Sequence, residues 1–250
     1  MIIDAILLGG GMGRRYSQSG HSSHDLPKQF QNLGTAPVFV HSVRSLLKLG
    51  FLRQIVAAVP LPYIELAKEQ LDEFGLTGSM IQIVAGGERR QDSSHFAMEY
   101  LERTNPLPTR ILIHDASRPF LSTSLCGRLK ERVFDRSYGA WVPIVPVVDT
   151  LKKVESHQVV ETASRADFHQ VQTPQIFEFS VIRTLAQKAK ECKDLQFTDD
   201  ASLCEYFGIP VGVFPGDVRN IKLTYDFEST TLWEVISQEG KSKLDTPVTS

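Results

Sequence analysis

The residues from Ile2 to Leu8 are apolar apart from Asp4, and they stop at Gly9-Gly10-Gly11. So short an apolar run, closed by glycine, suits a strand buried on both faces, which requires a sheet covered by helices. Helical spacing should then alternate with further strands. After Pro37, the residues Phe39, Val43, Leu46 and Leu47 fall at i, i+4, i+7 and i+8, one helical stripe, with Gly50 placed to close it. Gln54 to Val59 reads as the second strand, and Ile64, Ala67, Leu71 and Phe74 as the next helical face, closed by Gly75. Met80 to Val84 is expected as a third strand, Arg90 to Leu101 as a helix, and Arg110 to Ile113 as a fourth strand ending at His114-Asp115. This order predicts an α/β fold, a Rossmann-like, mostly parallel twisted sheet flanked by helices. Such sheets bind ligands beyond the carboxyl ends of their strands. The loops Gly9 to Arg15, Gly86 to Ser93 and His114 to Pro119 would lie there together.

The rhythm changes after residue 140. Ala140 to Val148 reads as a strand with two prolines, and Asp149 to Ser164 as a hairpin turning at Ser156-His157-Gln158. A hairpin interrupting an α/β pattern projects as a β-arm, an exposed edge that a second subunit commonly covers. Helical patterns return at Phe179 to Lys190 and Asp199 to Phe207. A strand at Val211 to Phe214, a short one around Lys222 and a last helix to about Ile236 complete the reading. No repeat or linker divides the chain, so a single domain is expected over 1–238, with the arm at about 147–167 and a flexible tail over 239–250.

Composition narrows the function. The 250 residues carry 27 Lys and Arg against 29 Asp and Glu, a formal charge of −2. That balance argues against nucleic-acid binding driven by counterion release. No apolar run reaches the ~18–20 residues that span a bilayer, and the N-terminus lacks the early positive charge of a secretory signal. Cys126, Cys192 and Cys204 are odd in number and form no CxxC pair, which suits free thiols in a reducing, cytoplasmic setting and offers no zinc site.

The first loop, Gly9 to Arg15, follows a strand, where backbone amides can cradle phosphate or simply make a turn. It does not match the dinucleotide fingerprint, since Arg14 stands at the third glycine position, and no Gly-Lys-Ser/Thr follows to make a P-loop. Arg15 beside it and Lys28, stiffened by Pro27, favour phosphate. The nucleophile signatures of hydrolases and metalloproteases are missing, and His114 beside Asp115 reads as structural more readily than as an acid or base. Phosphoryl or nucleotidyl transfer fits this inventory. A phosphate nucleophile is already an anion, so catalysis reduces to alignment and to stabilising charge with Arg, Lys and Mg²⁺.

The stretches Gly11-Met12-Gly13-Arg14-Arg15, Pro27-Lys28-Gln29-Phe30, Gly86 to Ser93 and His114 to Phe120, followed by Asp149-Thr150-Leu151-Lys152, Gln172-Thr173-Pro174-Gln175, Thr198 to Ser202 and Asn220 to Thr224, resemble the 2-C-methyl-D-erythritol 4-phosphate cytidylyltransferase family. The resemblance runs from about residue 2 to 236. It implies a nucleotide-diphosphosugar transferase fold and a Mg²⁺-dependent enzyme that joins CTP to a polyol phosphate and releases pyrophosphate, the metal riding mainly on the CTP phosphates. By family pattern, Gly9, Gly10, Gly11 and Gly13 belong to the CTP loop, and Arg15 and Lys28 stabilise charge on the α-phosphate. Gly87, Glu88, Arg90 and Ser93 match the cytosine-recognition segment, and Asp115 and Arg118 the strand end near ribose and triphosphate. Arg165 and Lys222 match the pair that positions the attacking phosphate, with Thr198 nearby. The arm is expected to be exchanged within a homodimer, so that Arg165 acts in the partner's site.

Each of these residues also has a plainer reading. Arg118 could pair with Asp115, Glu88 could be a solvated turn residue and Ser93 a helix-start residue, whereas burial of Lys222 between Ile221 and Leu223 without a function would be costly. The chain departs from the erythritol-phosphate pattern in places. Gly9-Gly10 stands where small alanines are usual and is closer to the D-ribitol 5-phosphate cytidylyltransferases. Ser17 to Asp25 is long and suggests a lid over CTP, and Ser164 and Arg219 occupy positions where acidic residues are common. The Asp149 to Lys152 and Thr198 to Ser202 stretches favour methylerythritol phosphate over ribitol phosphate. A nucleotide-binding protein without catalysis is the alternative from another class.

Overall fold

The computed structural model describes residues 1–10, 26–191, 197–224 and 228–242. In chain order it begins with β1 (Ile3–Leu8), the two-residue strands β2 (Asn32–Leu33) and β3 (Ala36–Pro37), α1 (Val38–Leu47), β4 (Gln54–Val59) and α2 (Ile64–Glu73). Next come β5 (Ile81–Ala85), α3 (Arg90–Leu101), β6 (Arg110–Asp115), α4 (Thr123–Phe134) and β7 (Ala140–Pro146). Then follow β8 (Leu151–Glu155), β9 (Gln158–Ala163), β10 (His169–Val171), β11 (Gln175–Glu178), α5 (Phe179–Glu191), α6 (Ala201–Tyr206), β12 (Val211–Pro215) and α7 (Glu228–Ser242).

The main sheet has eight strands in the order β10-β7-β11-β6-β1-β4-β5, with β12 also on β7. The half that follows strand–helix alternation is parallel: β1 pairs with β4 and β6, and β4 with β5. Ala5 sits opposite Ile55 on one side and Leu112 on the other, and all three are fully buried. Because strand side chains alternate in direction, β1 feeds two cores. Ile3, Ala5 and Leu7 join Phe39, Val43 and Leu46 of α1, whereas Ile6 and Leu8 join Ala97, Met98 and Leu101 of α3. This double coverage explains why β1 is apolar without alternation. Its exception, Asp4, is buried at the amino end and held by Arg53 Nε at 2.9 Å.

Sequence periodicity missed several elements. β10 and β11 run antiparallel to β7, and β11 also to β6, so the sheet is mixed at this end. α4 was also not expected. Its buried Leu125, Leu129 and Val133 fall at i, i+4 and i+8, and Ser122 caps it by accepting from the Leu125 N–H at 3.2 Å. Gly127 in its middle weakens that signal. The strand expected around Lys222 is not formed, and Asn220 to Thr224 is irregular chain pinned by the Leu223 N–H to the Ser117 carbonyl at 2.8 Å. α7 extends past Ile236 to Ser242, so helix occupies the first residues of the tail expected over 239–250, and residues 243–250 lie outside the described ones.

β8 and β9 form a separate two-stranded sheet. Ser156 and His157 make its turn, with φ of 47° and 67°, while Gln158 belongs to the strand and not to the turn. Positive φ at two successive residues matches the right-handed twist of a tight hairpin. Nearly all of this arm's residues are exposed, Val154, Val159 and Val160 among them.

Candidate active site

The carboxyl ends of β1, β5 and β6 continue their pairing for one more residue. The Gly9 N–H donates to Ala58 O at 2.8 Å, Gly86 N–H to Val59 O at 2.6 Å, and Ala116 N–H to Leu8 O at 2.9 Å. The three glycine- and aspartate-bearing loops therefore start from one rigid edge. A Cβ on Gly10 would stand 2.3 Å from Ser93 Oγ, so glycine is needed there for close approach of the β1 loop to the start of α3. Ser93 is fully buried, and its hydroxyl accepts from the Gly87 N–H at 3.0 Å. Gly10, Gly87 and Ser93 are thus brought together. Glu88 is exposed beside them. Gly11, Gly13 and Arg15, and the long Ser17 to Asp25 stretch, lie outside the described residues.

Lys28 opens a 3-10 turn, Lys28–Phe30, that is anchored from behind. Phe30 stacks on Tyr63 with centroids 5.4 Å apart, its carbonyl accepts from Gln70 at 2.9 Å, and Gln29 Nε2 donates to Gly9 O at 2.6 Å. Gln29 went unnoticed in the sequence beyond its place in Pro27-Lys28-Gln29-Phe30, yet it ties the lysine turn to the glycine loop. Lys28 Nζ itself donates to the carbonyl of Leu223, next to Lys222. Residues nearly two hundred positions apart in sequence meet there.

Asp115, at the end of β6, is the hub. Lys222 Nζ donates to its Oδ2 at 2.7 Å and Arg90 Nε to its Oδ1 at 3.3 Å. Arg90 also donates to Asp200 Oδ2 at 2.6 Å, and Ser94 Oγ to Asp200 Oδ1 at 2.7 Å. Burial would raise the Asp115 pKa, but Arg90, Lys222 and Arg118 more than offset it and hold the carboxyl well below the usual range. Burial alone would lower the Arg90 pKa, and Asp200 with Asp115 raises it, so both partners stay charged. In the sequence Asp200 is one residue of the Thr198 to Ser202 stretch, and its role as the second carboxylate on Arg90 depends on the start of α6 lying beside α3.

Arg118 does not pair with Asp115, contrary to the simpler sequence reading. Its Nη1 donates to Asn220 O at 2.6 Å, and its buried Nε has no hydrogen-bond partner among the described residues. Arg90 Nη2 is likewise buried without a partner among the described residues. Lys222 departs from expectation in the other direction, with its side chain 43% exposed while Leu223 is buried. Arg90 and Lys222 therefore share one carboxylate with Arg118 close by, three cations around a single buried anion, a local excess of positive charge that suits a further anion such as phosphate. Thr198 is exposed two residues before Asp200, and Asp199 accepts from Gln175 at 2.6 Å. Arg165 lies at the arm's base, donating to Val148 O at 2.7 Å, and no hydrogen bond among the described residues joins it to the Asp115 cluster.

Beneath the cluster, His114 is fully buried and held by Thr173 at 2.9 Å and by Arg118 O at 3.0 Å. Burial pushes its pKa down to about 4, so the ring is neutral at physiological pH. A cavity of about 310 Å³ opens where α3 meets α5 and α6, with Arg90 and Asp200 in its wall; Gly10, Lys28 and Lys222 do not line it. No group of three His, Cys, Asp or Glu side chains among the described residues converges as a metal cage. No helix among them is long and apolar enough to cross a membrane.

Comparison with known proteins places this geometry. The fold matches the 4-diphosphocytidyl-2C-methyl-D-erythritol synthase of Anaerococcus prevotii, with a TM-score of 0.75 at 23% identity over 94% of this chain and 98% of that one. The 2-C-methyl-D-erythritol 4-phosphate cytidylyltransferase of Thermus thermophilus gives a TM-score of 0.71 at 25% identity over 95% and 100%. In sequence, the chain is 34% identical over 225 residues to the Carboxydothermus hydrogenoformans protein named 2-C-methyl-D-erythritol 4-phosphate cytidylyltransferase, covering 89% of this chain and 90% of that one. It is also 34% identical over 234 residues to the bifunctional enzyme IspD/IspF of Bartonella tribocorum, covering 92% of this chain and 56% of the relative. The chain thus spans about half the length of the bifunctional relatives it matches. Members of the family are cytidylyltransferases, a kind of nucleotidyltransferase, and residues 3–236 match its model throughout: the chain belongs to the IspD, 2-C-methyl-D-erythritol 4-phosphate cytidylyltransferase, family.

Proposed function

We propose that this protein transfers CMP from CTP to 2-C-methyl-D-erythritol 4-phosphate and releases pyrophosphate, a step of non-mevalonate isoprenoid precursor synthesis. The observation that carries the reading is the Asp115 cluster, where Arg90 and Lys222 share one carboxylate at the sheet's carboxyl end, the charge of Arg118 lies near it, and Lys28 is delivered beside them. An oxygen of the acceptor phosphate attacks the α-phosphorus of CTP. The bond from that phosphorus to the bridging oxygen of pyrophosphate breaks, and the nucleophile, already an anion, needs no base. Lys28, with Arg15, offsets the charge that gathers on the α-phosphate. Lys222 and Arg118 hold phosphate oxygens, and Gly10, Gly87 and Ser93 shape the nucleotide's seat, with Gly9, Gly11, Gly13, Glu88 and Thr198 around it. Arg90 acts by fixing Asp115 against Asp200. That assignment replaces direct recognition of cytosine.

Mg²⁺ fits as an ion carried by the nucleotide. Both oxygens of Asp115 are engaged by cations, so Asp115 would give the ion little hold of its own, and when bound the ion would supply neutralisation of the triphosphate's charge. The arm serves a cytoplasmic homodimer in which Arg165 reaches the partner's acceptor site. Its exposed valines support this role, because an isolated two-stranded ribbon is marginal in water. Residues 1–238 act as one domain.

Pyrophosphate release with CTP and Mg²⁺ tests the reading, comparing 2-C-methyl-D-erythritol 4-phosphate with D-ribitol 5-phosphate. Faster turnover of the first is expected, with Lys28→Ala lowering kcat by about 10²-fold or more. Faster turnover of the second would favour the ribitol reading, which the Gly9-Gly10 pair and Arg219 support. CTP binding with no turnover of either would leave a non-catalytic nucleotide-binding protein.

A further inference from the structure

The turn that carries Asp115 and Arg118 is clamped from below, and hydrogen-bond bookkeeping fixes the direction of the clamp. The Asp115 N–H donates to Thr173 Oγ1 at 3.1 Å, so the single hydroxyl proton of Thr173 is free to go to His114 Nδ1, 2.9 Å away. A neutral ring that accepts at Nδ1 carries its proton on Nε2, and Nε2 lies 3.0 Å from the Arg118 carbonyl. The chain of donors therefore runs from the Asp115 amide through Thr173 and His114 to the Arg118 carbonyl. It bridges both ends of a turn already closed by the Arg118 N–H to the Asp115 carbonyl at 3.0 Å. Thr173 is in turn held by Asn220 Nδ2 donating to its carbonyl at 2.8 Å, and Asn220 O receives Arg118 Nη1. His114, Thr173 and Asn220 are all buried, so each of these bonds forms away from water.

We propose that His114, with Thr173 as its relay, is a positioning residue for nucleotidyl transfer: as the Nε2–H tautomer it sets the spacing between the Asp115 carboxylate and the Arg118 guanidinium. The ring contributes neither acid nor base. It acts on the reaction through backbone, by fixing where the Asp115 hub and the Arg118 N–H groups stand when a phosphate arrives. The inference rests on the proposed function, because a spacing between charged groups matters only if they grip phosphates.

Thr173→Val, His114→Phe and Thr173→Ser test it in the full chain. Thr173→Val keeps the side chain's shape but removes both the acceptor for the Asp115 amide and the donor to His114. We expect it to lower kcat by about 10²-fold among folded molecules, the scale of a misplaced catalytic group, with a smaller change in KM for the acceptor. Thr173→Ser, which keeps the hydroxyl, should stay within about threefold of the parent, and His114→Phe should match Thr173→Val. Equal kcat in the Val and Ser variants would overturn the proposal. Nitrogen NMR of the labelled parent should find the Nε2–H tautomer of His114 at neutral pH, and a protonated Nδ1 would also overturn it. If the parent turns over neither polyol phosphate, the proposed function fails separately, and CTP affinity decides this inference. At least tenfold weaker binding in Thr173→Val than in Thr173→Ser supports it, and equal binding overturns it.

Discussion

The Asp115 cluster and the β8–β9 arm handle polar and apolar groups in opposite ways. In the cluster, charged side chains are drawn inward and neutralised by one another, with Asp115 7% exposed and Asp200 6% exposed, each contacting Arg90. In the arm, valines are pushed outward, with Val159 59% and Val160 50% exposed, and the polar contacts, such as Lys152 to Thr162 at 2.6 Å, lie at the surface. Buried charge without a partner is costly, so the cluster is self-consistent within one chain, apart from Arg90 Nη2 and Arg118 Nε, which have no hydrogen-bond partner among the described residues. The arm is not self-consistent in this sense. A two-stranded ribbon of this kind is marginal by itself in water, and its exposed valines leave apolar area that a covering surface would bury.

Breaking the cluster should have the largest effect on stability. Asp115→Ala leaves Arg90 and Lys222 without their shared carboxylate and should cost about 3 kcal/mol, the lower end for a broken buried pair because Lys222 is half-exposed. Denaturant titration checks this, and a loss below about 1 kcal/mol would mean that the cations find other partners. The next effect is on pH. The folded His114 pKa, about 4, lies below the unfolded value near 6.5, so the unfolded chain binds the extra proton between these limits. The neutral ring's contribution is present in full above pH ~6.5 and falls by about 3 kcal/mol as pH drops to ~4. A His114→Phe variant should show a flatter stability profile across that window.

The arm should respond differently. If the proposed homodimer forms through the arm, Val159→Lys with Val160→Asp should convert it to monomer in light scattering, while the body's stability changes little, within about 0.5 kcal/mol. Persistence of the dimer would locate its interface elsewhere. Smallest of all, Lys153→Ala removes a fully surface ion pair with Glu155, 2.9 Å long, and should change stability by less than about 0.5 kcal/mol.

Legibility in the sequence follows the range of the forces involved. Buried parallel strands and the amphipathic α1 and α2 were readable because burial on a regular element imposes a period on neighbouring residues. β10 and β11 were not, since a three-residue and a four-residue strand hold too few residues for a period and are defined by pairing with β7 and β6. Lys28, Asp115 and Lys222 could be nominated from their surroundings and from family resemblance. Asp200 as the partner of Arg90, Gln29 on Gly9, and the Thr173–His114 relay could not, because each contact joins segments far apart along the chain.

The sequence by itself determined that a sheet buried on both faces would form and that its glycine and charged loops would gather at the carboxyl ends. These follow from local periodicity and residue type. The tertiary structure decided which carboxylate neutralises which cation, that Arg118 binds a carbonyl in place of Asp115, and that His114 is dry enough to stay neutral. Those outcomes depend on desolvation and on distances of a few ångströms, which exist only once strands and helices remote in sequence have packed together.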